Sequence, residues 1–165
     1  MRTDTRSRVI KVKSLARSFK NAGRGVMYCV KNERNMRIHL VTASYVLIFS
    51  PFYHFSQTQY ILLLLTIGIV LFAEAVNTAI EALVNLETQC YDHLARIAKD
   101  VAAGAVFICA IFALAVGIIL FFKFTTIFYI LNYLISNPFA GALLVISLPV
   151  ATAFIFGLPR RAKYK

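Results

Sequence analysis

The sequence predicts an all-α membrane protein: an N-terminal amphipathic surface helix, a three-span helical core and a fourth, C-terminal transmembrane helix. Three observations predict it. Apolar residues make up 59% of the 165 residues and charged residues only 15%, against about 45–50% and about 25% in average globular chains. The run from Ile38 to Ala73 holds 36 residues without a formal charge, and one crossing needs about 20. The net charge of +11 sits at the edges of the apolar runs, where anionic membrane lipids attract it. That placement argues against nucleic acid as the partner of the basic residues. The same apolar content excludes a disordered chain.

The surface helix is assigned to residues 1–34. Val12, Leu15, Phe19, Ala22 and Val26 recur at spacings of three and four, while Lys11, Lys13, Arg17, Lys20 and Arg24 fall elsewhere on the helical wheel. A basic helix with one apolar stripe lies on a membrane surface. The basic stretch before the first apolar run is longer than a signal peptide's charged region, so no cleavable signal is expected.

The core is assigned to residues 35–123. Ser50, Pro51 and the polar run 54–59 break the uncharged stretch into a hairpin. This places span one near 36–53 and span two near 59–82. A polar loop over 85–99 precedes span three, near 101–122. Residues 124–165 form a C-terminal extension, with a fourth span near 139–158 and a basic tail from Arg160.

Lysine and arginine bias orients the spans. Eleven of these residues lie in 1–37, two in 85–99 and four in 160–165, against Lys123 alone in the opposite loops. Both termini are therefore expected on the cytoplasmic side. Cys29, Cys90 and Cys109 show no CxxC spacing, which argues against a disulfide framework and against a zinc site.

Glu74, Asn77 and Glu81 stand at i, i+3 and i+7 in span two, on one helical face. Glu74 is expected in the cytoplasmic third of the hydrocarbon layer, about 22 Å along the span at about 1.5 Å per residue. A carboxylate at that depth is costly unless paired, ligated or facing water, and so marks function. Two plainer readings stay open from spacing alone. Span two ends early and these are solvated end residues, or the carboxylates bond neighbouring helices. Lys99 and Asp100 open span three, where Lys99 serves as an interfacial anchor or as a point charge for phosphate. Glu33, between Lys31 and Arg34, reads by default as part of a solvated charge cluster. His39 and His54 read as structural residues. Neither soluble phosphate loop, GxGxxG nor GxxxxGK[ST], occurs.

Three motifs in order carry a resemblance over about residues 15–123. They are Ala22-Gly23-Arg24-Gly25 followed by Glu33-Arg34-Asn35 and His39, then Glu74-Ala75-Val76-Asn77-Thr78-Ala79-Ile80-Glu81, then the run Ala98-Lys99-Asp100 to Val106. The sequence resembles the prokaryotic diacylglycerol kinase and undecaprenol kinase family of small membrane lipid kinases, and its motif versions look closer to the undecaprenol branch. The resemblance implies a homotrimer with active sites between protomers. It implies transfer of the γ-phosphoryl of ATP, with Mg2+, to a lipid alcohol at the cytoplasmic face. Undecaprenol is the first reading of that alcohol and diacylglycerol the alternative. By the same resemblance Glu74 takes the proton from the lipid hydroxyl. Glu33 and Glu81 bind magnesium and the nucleotide phosphates, and Asn77, Lys99 and Asp100 help hold ATP or the lipid head.

Three features depart from the pattern. Asn85 stands where the motif usually continues with Asp, the loop 86–93 is divergent, and about 40 residues follow the third span. Two other classes compete. An ion or proton-linked transporter also uses intramembrane acids, but near the midplane and on more than one span. A non-catalytic scaffold needs no buried pair of glutamates.

Overall fold

The computed structural model describes residues 4–87 and 93–157. Among them the chain is helical with no strand, in the order α1 (Asp4–Asn32), α2 (Arg34–Phe49), a short 3-10 turn (Ser50–Tyr53), α3 (Gln57–Glu87), α4 (His93–Phe121), α5 (Phe124–Ser136) and α6 (Pro138–Phe156). Among the described residues three helices are long and apolar enough to cross a membrane: Gln57–Leu86, His93–Phe121 and Pro138–Phe156. The all-α membrane class expected from the sequence is the class observed.

α2 has only 16 residues. At about 1.5 Å per residue it rises about 24 Å. The 3-10 turn adds about 8 Å at about 2.0 Å per residue, which brings the pair close to the hydrocarbon thickness of about 30 Å. The turn ends at His54, whose φ of 48° is the one positive value at a non-glycine among the described residues. The chain then reverses into α3. Ser56 and Gln59 close that helix start reciprocally: the Ser56 N–H donates to Gln59 Oε1 at 2.9 Å and the Gln59 N–H to Ser56 Oγ at 3.3 Å. This is a capping box, which satisfies backbone donors that the helix itself leaves open.

α3 and α4 form a long antiparallel hairpin. Both run further toward their connection than the expected spans. The polar loop placed over 85–99 is largely helical, because α3 persists to Glu87 and α4 begins at His93. Leu, Ala, Arg and Lys are good helix formers, and polarity there records emergence from the bilayer, not a break in the helix. The divergent stretch 88–92, with Cys90 and Asp92, lies outside the described residues, as do the tail cations Arg160, Arg161, Lys163 and Lys165.

The segment 123–138, expected to be mixed, holds α5. Asn137 and Pro138 then start α6. The Asn137 side chain accepts from the Ala140 N–H at 3.3 Å, and proline suits the first helical turn. α6 turns back so tightly that a Cβ on Gly141 would lie 2.8 Å from the Leu134 carbonyl oxygen. The position therefore requires glycine.

The core gathers at the end of the bundle where α2 turns into α3. Tyr53, Phe55, Leu63, Leu120 and Ile130 are buried together there. The Phe121 ring packs edge-on against Tyr53 at 4.8 Å and Phe55 at 5.1 Å between centroids. On α1, by contrast, Leu15, Phe19 and Val26 are all exposed. The apolar stripe of that helix is uncovered by protein, as a helix lying on a membrane requires. The side chains of Lys11, Val12 and Lys13 lie outside the described residues.

Candidate active site

The opposite end of the bundle is polar inside. α3 carries Glu74, Asn77 and Thr78 at 1%, 6% and 4% exposure. Their spacing puts them on one helical face, with Glu74 and Asn77 toward α2 and α4 and Thr78 against Cys29 of α1. Asn77 Nδ2 donates to Glu81 Oε1 at 3.2 Å. Thr78 Oγ1 donates to the Glu74 carbonyl at 2.9 Å. Neither carboxylate oxygen of Glu74 has a hydrogen-bond partner, and Asn77 Oδ1 has none either. Buried polar atoms are almost always satisfied, so three orphans within one helical turn point to something the chain alone does not supply.

A cavity of about 280 Å³ opens beside them, lined by Asn35, Ile38 and His39 of α2, Glu74 and Asn77 of α3, and Ala103, Val106, Phe107 and Ala110 of α4. Its wall is apolar on the α4 side and at Ile38, and polar at Asn35, His39, Glu74 and Asn77.

Glu33 is the joint between α1 and α2. Its backbone is extended, at φ −107° and ψ 120°, and its N–H donates to the Cys29 carbonyl at 2.8 Å. Cys29 is buried and hydrogen-bonded to Thr78. Burial pushes its thiol above the ordinary range, and the charges of Glu33 and Glu74 push it the same way. Cys29 thus lies within electrostatic reach of both carboxylates.

The remaining sequence candidates lie further out. Lys99 Nζ donates to Asn85 Oδ1 at 2.7 Å, across the α3–α4 hairpin. An amide holds the ammonium in place without neutralising it, so the full positive charge stays available to an anion. This is the consequence of Asn85 where the motif usually has Asp. Asp100 faces outward with Arg96, at 3.7 Å between exposed side chains, and does not line the cavity. The structure therefore gathers Glu74 and Asn77 in the cavity, joins Glu81 to them through Asn77, holds Lys99 against Asn85 outside the cavity lining, and leaves Asp100 on the outer surface with Arg96.

Sequence reasoning passed over Asn35 and His39 as cavity residues. Their i, i+4 spacing on α2 was the available signal, but only the packing of α2 on α3 shows which face of α2 turns inward. Arg37 entered the sequence reading only as one of the eleven cations of 1–37 that orient the spans; the structure buries it, at 2% exposure.

Among the described residues no group of three or more His, Cys, Asp or Glu side chains is placed to hold a metal ion by itself. The donors are all hard carboxylate and amide oxygens. Such a set fits magnesium, which takes one or two carboxylates and completes its shell with phosphate oxygens and water.

Comparison with known proteins agrees with the motifs. The sequence profile described as prokaryotic diacylglycerol kinase matches residues 20–121. A diacylglycerol kinase of Synechocystis sp. is 43% identical over 101 residues, which cover 61% of this chain and 58% of that protein. An undecaprenol kinase of Bacillus subtilis is 38% identical over 105 residues, covering 64% of this chain and 85% of that protein. The matched stretch thus spans little over half of the first relative and most of the second. No solved structure matches the chain. Residues beyond 121, with α5 and α6, lie outside the family profile.

Proposed function

Because the chain belongs to the prokaryotic diacylglycerol kinase family, we propose that it phosphorylates a lipid alcohol from ATP at the cytoplasmic face of a bacterial plasma membrane. Undecaprenol is the first substrate in this reading and diacylglycerol the second. The relatives' names divide between the two, and the undecaprenol branch is favoured by the motif versions. One observation carries the reading: Glu74, 1% exposed, has both oxygens free of partners beside a mainly apolar cavity with a polar side.

Glu74 is the group that accepts the proton of the lipid hydroxyl. A base must lie within hydrogen-bond reach of that proton, and an unpartnered carboxylate on a residue that lines the cavity has both oxygens to offer a hydroxyl entering from the bilayer. Val106 and Phe107 border the alkyl side of the cavity, while Asn35 and His39 face the head. Glu33 and Glu81 are the ligands assigned to magnesium. Asn77 fixes Glu81 by its amide N–H, and Lys99 and Asp100 take the nucleotide side. When bound, magnesium with ATP supplies the γ-phosphoryl group and neutralises its charge, and positioning with charge stabilisation is most of what phosphoryl transfer needs. The N-terminal helix, basic with an open apolar stripe, holds the chain against anionic lipid. Assembly as a homotrimer and cytoplasmic placement of both termini belong to the same reading.

The test is direct. Protein purified in detergent is given radiolabelled ATP, magnesium and a panel of lipid alcohols containing undecaprenol and diacylglycerol. Label transferred to undecaprenol, and less to diacylglycerol, is the expected result. Transfer to no member of the panel overturns the kinase reading, and preference for diacylglycerol overturns the substrate assignment alone.

A further inference from the structure

α6 lies outside the family profile, yet it is bonded to the helix that faces the site. Arg37, 2% exposed, is the centre of the contact. Its Nε donates to the Ile155 carbonyl at 3.0 Å, and its Nη1 donates to the Val30 and Lys31 carbonyls at 3.0 and 3.1 Å. Ile155 is in the last turn of α6, and Val30 and Lys31 are in the last turn of α1. Two helix C-termini, each with unpaired carbonyls and the negative end of its dipole, therefore converge on one guanidinium. A buried cation is stable only when its donors are matched, and three carbonyls here take three of the five N–H donors.

Two more contacts fasten α6 to the same helix. Tyr45 Oη and Ser147 Oγ are 2.8 Å apart, and the Arg34 guanidinium lies over the Phe156 ring at 5.9 Å from its centroid. At about 100° per residue, Arg34, Arg37 and Tyr45 fall within one sector of α2, and Asn35, Ile38 and His39 fall in the adjoining sector. The first sector meets α6 and the second lines the cavity. The rotation of α2 is thus set from one side by α6 and read on the other side by the site. Glu33 occupies the joint that Arg37 braces, with the Val30 and Lys31 carbonyls just before it.

We propose that Arg37 is a positioning residue through which the C-terminal helix α6 fixes Glu33 and the cavity face of α2 for the kinase reaction. The proposal rests on the kinase reading for its effect on the nucleotide. Its structural half, bracing of the α1–α2 joint by α6, stands by itself. It gives the extension a role: α6 is a strut for the site, joined to it through Arg37.

The test uses the full chain in detergent, as wild type, Arg37→Gln, Arg37→Lys and Phe156→Ala. Two quantities are read on folded protein: the affinity for Mg-ATP by direct titration, and the alkylation rate of Cys29, followed by peptide mapping. Cys29 lies one turn before Glu33 and is 7% exposed, so its protection reports on the joint. Arg37→Gln is expected to weaken Mg-ATP binding about tenfold, the size of one lost hydrogen bond to a charged group, and to speed Cys29 alkylation by a similar factor. Arg37→Lys keeps the charge but not the fork, and should recover part of both effects. Phe156→Ala, remote from the proposed machinery, should shift both in the same direction by a smaller factor. A purely structural role would lower the melting temperature and leave the affinity and the Cys29 protection of the folded fraction unchanged, which would overturn the proposal. Should Arg37→Gln not fold, Arg37→Lys and Phe156→Ala decide by the same two readings. Failure of the wild type to bind Mg-ATP would fell the kinase reading, and Cys29 protection would still decide whether α6 braces the joint.

Discussion

At one end of the bundle Tyr53, Phe55, Leu63, Leu120 and Ile130 close over one another with aromatic rings in edge contact. At the other end Glu74, Asn77 and Thr78 are buried to a similar degree, yet three of their side-chain oxygens have no partner. Burial is the same and satisfaction is opposite. The aromatic end gains from what it hides, since ring pairs contribute about 0.5–1.5 kcal/mol each beyond area. The carboxylate end loses by it, because a buried polar group without a partner is destabilising. Such a cost persists where function requires it, and stability and activity often trade against each other at these places.

The widest separation of the two ends should come from Glu74→Gln. It removes the proposed base and is expected to lower phosphoryl transfer about 10²–10⁴-fold, the usual range for a general base. Nucleotide binding should be nearly unchanged. The amide carries no charge to bury, so the melting temperature should hold or rise. Radiolabel transfer, ATP titration and thermal unfolding on one preparation check all three. Survival of full turnover would remove Glu74 from the role of base.

Phe121→Ala is the converse. It deletes the ring that meets both Tyr53 and Phe55. The two ring pairs alone are worth about 1–3 kcal/mol, and loss of the ring's burial adds to that, up to the roughly 3–5 kcal/mol of a core Phe→Ala change, seen as a lower melting temperature in detergent. Turnover per folded molecule should stay within twofold of wild type, because the substitution lies at the far end of α4 from Glu74. A large loss of turnover in fully folded protein would mean that the two ends are coupled.

Asn85→Asp tests the Lys99 contact. Aspartate would pair with Lys99, where asparagine only positions it. The ammonium would then be partly neutralised and less available to a phosphate. Partly exposed ion pairs are worth about 0–1 kcal/mol, so the KM for Mg-ATP should rise by no more than about fivefold with kcat unchanged. A fall in KM would reverse the account of this position.

How much of this the sequence disclosed follows from which forces are local. The long uncharged run and the 3.6-residue period of the acids depend on residues near one another in the chain. The membrane class and the common face of Glu74, Asn77 and Glu81 were therefore legible. Arg37 was not. Its place at the start of span one does not reveal its partners, and one of them, Ile155, lies 118 residues away. α5 was hidden because Asn132, Asn137 and Pro138 looked like punctuation, and only the last two act as such. The inward turn of Asn35 and His39 depends on how α2 is rotated against α3 and α6, which is a tertiary fact.

The smallest expected effect concerns Cys29, at the carboxylate end. Burial, with Glu33 and Glu74 adding to it, pushes its thiol above the ordinary value of 9.0. The sign follows from linkage. The folded state disfavours the thiolate, so the protonated thiol's contribution to stability is complete below the ordinary value and is lost as pH rises through the raised one. Cys29→Ser removes the titration and keeps a small polar group that can bond Thr78. Melting temperatures of wild type and Cys29→Ser in detergent should therefore run parallel near neutral pH, and the wild type should fall further above pH 9.0. The other thiols and the tyrosines titrate alike in both proteins and cancel in the difference. Parallel curves throughout the alkaline range would mean that the thiol does not sense Glu33 and Glu74, and the carboxylate end would then be less crowded with charge than its buried, unpartnered Glu74 implies.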